Sequence, residues 1–341
     1  MKKPHLMYFT ILVLFIIIFN GCVNNRKIDK ISPNIIFIFA DDLGYGDLGI
    51  FGAKDIKTPN IDFIGKNGIK FTDFYSVSSV CTPSRAGLLT GRMPQRFGLN
   101  GVLFPDSHTG MPSSEYTIAE LLNDNGYTTG IIGKWHLGHK YEYLPLQQGF
   151  DSFFGIPYSN DMASTVYIRG NDVVDHFPNQ SLMTNKFTKE AIDFIEKNKN
   201  NKFFLYLAHP MPHVPIYASE KFIGSSERGL YGDVIQEIDW SVGRIINKLK
   251  EYNLLNNTLV IFSSDNGPWL TMGEFGGSSG KLRNGKMYTF EGGMRVPTLA
   301  MYEGYIPAGT ETNQIISQLD WFPTFASITD SEFSDKIILD G

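Results

Sequence analysis

The chain has 341 residues, 42% of them hydrophobic, with 30 basic and 35 acidic side chains and a formal net charge of −5. That length suffices for one large domain or two smaller ones and is ample to bury a core. The charge balance offers no nucleic-acid surface, so an anion site has to be built locally from a few side chains.

At the amino terminus, Lys2 and Lys3 precede an apolar run of 14 residues from Leu6 to Phe19, then Gly21-Cys22, then the polar Asn24-Asn25-Arg26-Lys27. Residues 1–21 read as a secretory signal, excluded from the fold, because a membrane span needs about 20 apolar residues. Phe19-Asn20-Gly21-Cys22 resembles a bacterial lipoprotein signal, with Phe19 where leucine is more usual. The resemblance implies an acylated Cys22, residues 22–33 as a tether, and an exported protein held at a membrane in the periplasm or on the cell surface. Removing residues 1–21 leaves 320 and takes the net charge from −5 to −7. With Cys22 acylated, Cys81 stands alone and no disulfide can form. An unpaired thiol is a liability in an oxidising compartment, unless it is simply buried and inert.

Four short apolar runs have the look of buried parallel strands that end in polar residues. Residues 34–40 end in Asp41-Asp42, 128–132 in Gly133-Lys134-Trp135-His136, 202–208 in His209 with His213 following, and 258–262 in Ser263-Ser264-Asp265-Asn266. Helical patterns lie between them. Thr58-Pro59 predicts a cap and first-turn proline for a short helix that Gly68 can end. Thr117 and Glu120 predict a capping box, with Gly126 as the stop. Phe187, Ala191, Phe194 and Ile195 follow helical spacing, as do Ile235, Ile238, Val242, Ile245, Ile246 and Leu249. Ser84 to Leu89 predicts a helix ended by Gly91, with Pro83 at its first position and Cys81 near its amino end. Alternating strands and helices indicate an α/β fold with a mostly parallel sheet covered on both faces.

Ligands bind beyond the carboxyl ends of the strands in such sheets. A single strand-end Asp or His commonly serves a turn or a cap, but four such ends together favour a site. Asp41, Asp42, Asp265 and Asn266 offer only oxygen ligands, and gathered carboxylates need a cation. That set suits calcium, with magnesium also allowed. Lys134 and Lys286 beside such an ion would bind a tetrahedral anion, and His136 or His213 would supply a proton to a leaving alkoxide. Lys286 precedes Glu291-Gly292-Gly293, whose glycines allow close backbone approach. A thiolate at a helix start would be activated, which keeps a cysteine hydrolase open. Next to a hard cation, however, an oxygen nucleophile is more natural.

Cys81-Thr82-Pro83-Ser84-Arg85, continued by Ala86 to Gly91-Arg92, resembles the signature of the type I sulfatases within the alkaline phosphatase superfamily, nearest to arylsulfatase A-like enzymes. Asp41 to Asp47, Gly133 to Gly138, Pro212-His213-Val214-Pro215, Ser264 to Gly267 and Glu291-Gly292-Gly293 match in the same order, so the resemblance covers residues 34–341. It implies an alkaline phosphatase-like fold and hydrolysis of sulfate esters after a maturation enzyme oxidises Cys81 to formylglycine. It also implies that Asp41, Asp42, Asp265 and Asn266 hold a calcium or magnesium ion together with residue 81. Arg85 and His136 hold the hydrated aldehyde, Lys134 and Lys286 grip sulfate oxygens, His213 is the general acid, and Ser159 is a sulfate contact. Family members continue beyond the Asp-Gly found here as Asp340-Gly341 into a small antiparallel subdomain, so that subdomain is expected to be absent or incomplete.

The expected substrate is a sulfated carbohydrate. Two other readings stay open: a phosphoester or phosphonate hydrolase of the same superfamily, and a non-catalytic surface lipoprotein that binds sulfated glycans. Trp135, His139, Tyr141 and Tyr158 either line a sugar platform or belong to the core.

Overall fold

The computed structural model describes residues 32–162, 165–176 and 178–341. The signal at residues 1–21 and Cys22 lie outside the described residues. In chain order the strands are β1 (Asn34–Ala40), β2 (Ile69–Phe71), β3 (Phe74–Tyr75), β4 (Thr128–Lys134), β5 (Ser152–Ile156), β6 (Tyr167–Arg169), β7 (Asp172–Asp175), β8 (Phe203–Ala208), β9 (Thr258–Ser264), β10 (Thr298–Met301), β11 (Thr310–Thr312) and β12 (Ile316–Ser317). The helices are α1 (Pro59–Lys66), α2 (Cys81–Thr90), α3 (Ile118–Asp124), α4 (Met183–Asn198), α5 (Leu230–Glu251), α6 (Glu291–Met294) and α7 (Trp321–Thr329). Among the described residues no helix is long and apolar enough to cross a membrane.

Ten strands form one sheet in the order β11-β2-β10-β9-β1-β8-β4-β5-β6-β7, and β3 pairs with β12 in a second, small one. The centre, β9-β1-β8-β4-β5, is parallel. β10 on one flank and β6-β7 on the other run antiparallel to their neighbours. The sheet is therefore mixed, with a parallel core.

All seven residues of β1 are buried, the expected result when both faces of a strand are covered. Ile36, Ile38 and Ala40 share one face with Leu205, Leu207, Val260 and Phe262, under Ile61 and Ile64 of α1, Phe187, Ala191 and Ile195 of α4, and Ile235, Ile238, Val242 and Ile245 of α5. On the other face, Phe37 meets Trp321 of α7 edge-on at 5.8 Å between ring centroids, and Phe204 meets Phe325 at 6.1 Å. Helices α2 and α3 pack on α7 there. Each large apolar side chain removed from water contributes about 1.5–3 kcal/mol, so the two helical layers clamp the sheet from both sides.

Two helix starts differ from expectation. Helix α2 begins at Cys81, with Val80 extended at φ −145° as its cap and Gly91 left-handed at φ 64° as its stop. Pro83 thus sits at the third helical position, where its missing N–H still costs nothing because the first turn has no intrahelical acceptors. Thr58 does precede α1, yet its hydroxyl accepts from Gly49 N at 2.8 Å and donates to Asp62. The α1 terminus is capped by Asp239 of α5, which accepts from Asn60 N at 2.9 Å and Ile61 N at 2.8 Å. The capping box of Thr117 and Glu120 on α3 forms as predicted.

Candidate active site

Register sets the strand ends level. Ala40 pairs with Ser264, Phe39 with Ala208, and Ala208 with Gly133. The residues that follow β1, β9, β8 and β4 therefore leave the sheet along one row. Asp265 N donates to Ala40 O at 3.1 Å and Asp41 N to Met211 O at 3.2 Å, which ties three of these ends together. Asp42 and His136 both adopt left-handed backbone, φ 63° and 60°, a conformation uncommon outside glycine although Asp and His tolerate it better than most. Gly133, at φ 112°, lies where a Cβ would stand 1.9 Å from the Ala208 carbonyl oxygen, so the backbone before Lys134 requires glycine.

The carboxylates of Asp41, Asp42 and Asp265 and the Cys81 sulfur converge, with one ligand atom from each within 4.8 Å of the others, all buried. Arg85, wholly buried, bridges two of them: Nε and Nη2 donate to Asp265 Oδ2 at 3.1 and 2.8 Å, and Nη2 stands 3.3 Å from Asp41 Oδ1. Asp42 N donates to Asp265 Oδ1 at 3.0 Å. Asn266 Nδ2 donates to Asp42 Oδ1 at 2.7 Å, which leaves Asn266 Oδ1 buried with no hydrogen-bond partner. Burial pushes the Asp41 carboxyl up, but the charges of Lys134, His213, Arg85 and Lys286 outweigh it and hold Asp41 well below the usual range. Burial and then the Asp41 charge raise Asp265.

Cys81 occupies the first turn of α2, 1% exposed, with Sγ 3.4 Å from Asp41 Oδ1. Burial, then the negative charge of Asp41, pushes its thiol well above the ordinary value. The helix start therefore does not yield the activated thiolate that position alone would favour. Two neighbours pin this turn. Thr82 Oγ1 donates to His136 O at 3.0 Å and accepts from Leu103 N at 3.1 Å. Ser84 Oγ reaches the Asp265 carbonyl and Gln318 Oε1.

The cationic side faces the same centre. Lys134 Nζ donates to Asp41 Oδ2 at 2.5 Å and to Ser159 Oγ at 3.2 Å. Lys286 Nζ donates to Asp42 Oδ2 at 2.7 Å, and Asp42 raises its pKa despite the burial that lowers it. His213 Nδ1 donates to Val214 O at 2.6 Å, which leaves Nε2 directed at Asp42 Oδ2, 3.6 Å away. Burial holds His213 below the ordinary imidazole value, against the charges of Asp42 and Asp41. His136 Nε2 donates to Leu103 O at 2.9 Å, so its unpartnered, buried Nδ1 carries a lone pair. Burial and the Lys134 charge keep His136 neutral, well below the usual range.

This donor set fits a divalent, oxygen-seeking cation. Asp41, Asp42 and Asp265 bring three carboxylates and Asn266 brings a free amide oxygen, while the His213 imidazole lies close enough to Asp42 and Cys81 to form a second, smaller grouping. Three negative charges are matched by Arg85, Lys134 and Lys286. A divalent ion would therefore leave the centre net positive and suited to a tetrahedral anion.

Cys81, Arg85, Lys134, His136, Ser159, His213, Asp265, Asn266, Lys286, Asp41 and Asp42 are brought into this one cluster. His209 is not: its Nε2 turns to Ser241 of α5 at 3.3 Å. The aromatic platform disperses as well. Trp135 is 0% exposed in the core with Nε1 donating to Tyr143 O at 2.8 Å, and Tyr158 is buried against His136. Only Tyr141, 64% exposed, stands free, while half-buried His139 is tied to the Tyr158 hydroxyl. Two contributors escaped sequence reasoning. Gln318, before α7, donates from Nε2 to Ser264 O at 3.0 Å and accepts from Val77 N at 3.1 Å, fixing the Asp265 loop to the start of α2. Trp269 packs its ring 5.5 Å from His213 and 4.3 Å from Lys286 Nζ. Trp269 stands three residues after Asn266, so proximity to that motif was its one available signal.

Comparison with known proteins bears on residues 33–331, which match the family described as Sulfatase. N-acetylgalactosamine-6-sulfatase of Sus scrofa is 40% identical over 336 residues, covering 91% of this chain and 64% of that protein. Arylsulfatase A of Homo sapiens is 41% identical over 337 residues, covering 91% and 66%. The chain thus spans about two thirds of the length of these relatives. Among solved structures, Ps i-CgsB in complex with k-i-k-neocarrahexaose superposes with a TM-score of 0.84 at 35% identity, over 91% of this chain and 74% of that one.

Proposed function

The chain belongs to the sulfatase family, and on that premise we propose that it hydrolyses the sulfate ester of a carbohydrate, from an oxygen nucleophile made at position 81. The observation that carries the reading is the buried convergence of Asp41, Asp42, Asp265 and Cys81 beside Lys134 and Lys286. Relatives that bear on the substrate are an N-acetylgalactosamine-6-sulfatase and an enzyme solved with a neocarrahexaose.

In this proposal Asp41, Asp42, Asp265 and Asn266 hold a calcium or magnesium ion. When bound, the ion would withdraw charge from sulfate oxygens and ease deprotonation of a neighbouring hydroxyl. Formylglycine, made from Cys81 by a maturation enzyme, would supply that hydroxyl from its hydrate and can be regenerated without leaving a stable ester. Lys134 and Lys286 exchange their carboxylate contacts for sulfate oxygens and stabilise charge as the S–O bond to the sugar breaks. Ser159, placed between Lys134 and His213, orients the same group. His213, with its Nδ1 proton held by Val214 O and its charged form supported by the Asp42 and Asp41 carboxylates, gives the second, Nε2 proton of that form to the departing sugar oxygen. Arg85 and the free Nδ1 of His136 hold the hydroxyls at position 81. The net change adds one water across the S–O bond and yields alcohol and sulfate.

The test is to coexpress the chain with a formylglycine-generating enzyme, weigh the peptide that contains residue 81, and measure sulfate release from aryl sulfate and sulfated saccharides. Turnover that survives Cys81→Ala, or rates on aryl phosphate above those on aryl sulfate, would overturn the reading; so would saccharide binding without turnover. The proposal also sets the mature chain on a membrane through acylated Cys22, supported by the sequence from Phe19 to Cys22. Palmitate labelling that persists in Cys22→Ala would remove that part.

A further inference from the structure

We propose that the groove leading from Lys286 past Trp269 to Tyr288 is a saccharide subsite that takes the sugar ring next to the sulfated one; this rests on the sulfate-ester reading above. The groove encloses about 520 Å³ between Trp269, Leu270 and Thr271 on one wall and Asn284, Lys286 and Tyr288 on the other. That volume lies within the usual range for small-molecule sites.

Its inner end is shared with the reactive centre. Lys286 Nζ touches Asp42 at 2.7 Å and the Trp269 ring at 4.3 Å from its centroid, and the same ring lies 5.5 Å from His213. A leaving oxygen that receives its proton from His213 therefore carries its sugar past Trp269 and out along this groove. The outer walls are unusually apolar for a surface, with Leu270 41% and Tyr288 51% exposed. Asn284 and Thr271 add polar side chains to these walls. Aromatic faces that meet C–H groups, next to amide and hydroxyl groups that meet O–H groups, match a pyranose better than a wholly apolar alcohol.

The walls are also fixed in place. Lys286 N donates to Pro268 O at 2.8 Å, Met287 N to Ser79 O at 2.9 Å, and Gly292 N to Arg283 O at 2.8 Å. The second of these ties the groove to the turn that precedes Cys81, so ring and sulfate are positioned by one frame.

The experiment compares the matured enzyme with its Tyr288→Ala variant on a sulfated galactan tetrasaccharide, a sulfated monosaccharide, 4-methylumbelliferyl sulfate and a sterol sulfate. Loss of the ring contact is expected to lower kcat/KM for the tetrasaccharide about tenfold, through KM, relative to the loss on the two small substrates. Equal losses on all substrates, no loss on the tetrasaccharide, or a larger loss on the sterol sulfate would overturn the subsite. If wild type turns over none of these esters, the sulfate-ester reading itself fails. Calorimetric titration of the unsulfated tetrasaccharide then decides the groove: binding that Tyr288→Ala weakens supports it, and no binding to wild type overturns it.

Discussion

Replacing Arg85 by lysine keeps one positive charge in the centre and removes the fork. The guanidinium makes two contacts to Asp265 Oδ2, at 3.1 and 2.8 Å, and one to Asp41 Oδ1 at 3.3 Å, with no solvent access. An ammonium at the end of a lysine reaches one of these carboxylates and leaves roughly two charge-assisted contacts unmade, each worth about 1.5–3 kcal/mol. The retained charge offsets part of this, so the expected cost is about 3 kcal/mol, near the lower end of what breaking a buried ion pair costs. For a domain of this size that is a fall in Tm of about 6 °C, read by scanning calorimetry in EDTA. Excess calcium should raise the Tm of both proteins, and that of Arg85→Lys by more, because a divalent ion takes over neutralisation of Asp41 and Asp265. A variant within about 1 kcal/mol of wild type in EDTA, with an unchanged response to calcium, would refute the account of Arg85 as the clasp between the two carboxylates.

Four further outcomes are expected. Lys286→Met should lower kcat/KM on aryl sulfate by about 10²–10³, the effect of losing one donor to developing charge, and a loss below about fivefold would count against a sulfate contact. His213→Asn should slow alkyl sulfates by about 10²–10⁴ and nitrophenyl sulfate much less, since the better leaving group needs no proton; equal losses would remove the general-acid role. Gln318→Ala should lower stability by about 1–3 kcal/mol in urea titrations, through the unpaired Val77 N–H and Ser264 carbonyl, whereas a neutral result would mean that the Asp265 loop holds itself. Asp47 is buried and its carboxyl is pushed up to about 6 by that burial, against hydrogen bonds from Tyr231, Ser278 and Gly44. A folded pKa above the ordinary 3.8 means that this group favours the folded state at low pH and loses that contribution as pH rises from about 4 to about 6. Asp47→Asn should flatten that fall, by about 2 kcal/mol between about pH 4.5 and 7, in urea unfolding; a constant difference between variant and wild type would refute it.

The parallel core was legible in the chain because β1, β4, β8 and β9 are runs of apolar residues that end in polar ones, and strand ends in such a sheet share a crevice. Motif order supplied the site residues, and the fold places their side chains in one cluster. What escaped the sequence was long-range support. Gln318 lies 53 residues beyond Asp265, and Asp239 caps a helix 178 residues earlier, so no local pattern announces either. Thr82 and Ser84 entered only as members of the motif around Cys81, yet both bolt α2 to neighbouring loops. The aromatics stayed open between core and sugar platform for a related reason. Trp135 adjoins a site motif in sequence but is buried in the core, whereas half-buried Trp269 packs beside His213.

The depth at which Cys81 lies has a consequence for the timing of biosynthesis. It lies in the first turn of α2, 1% exposed, with its sulfur among the buried carboxylates of Asp41, Asp42 and Asp265. No catalyst of protein size reaches that atom once the helix has docked. On the proposal that residue 81 is oxidised to formylglycine, that oxidation would have to win a race against folding. On that reading a chain that folds first would be stranded, and slow synthesis or a holding chaperone would raise the yield of active enzyme without changing a single contact in it.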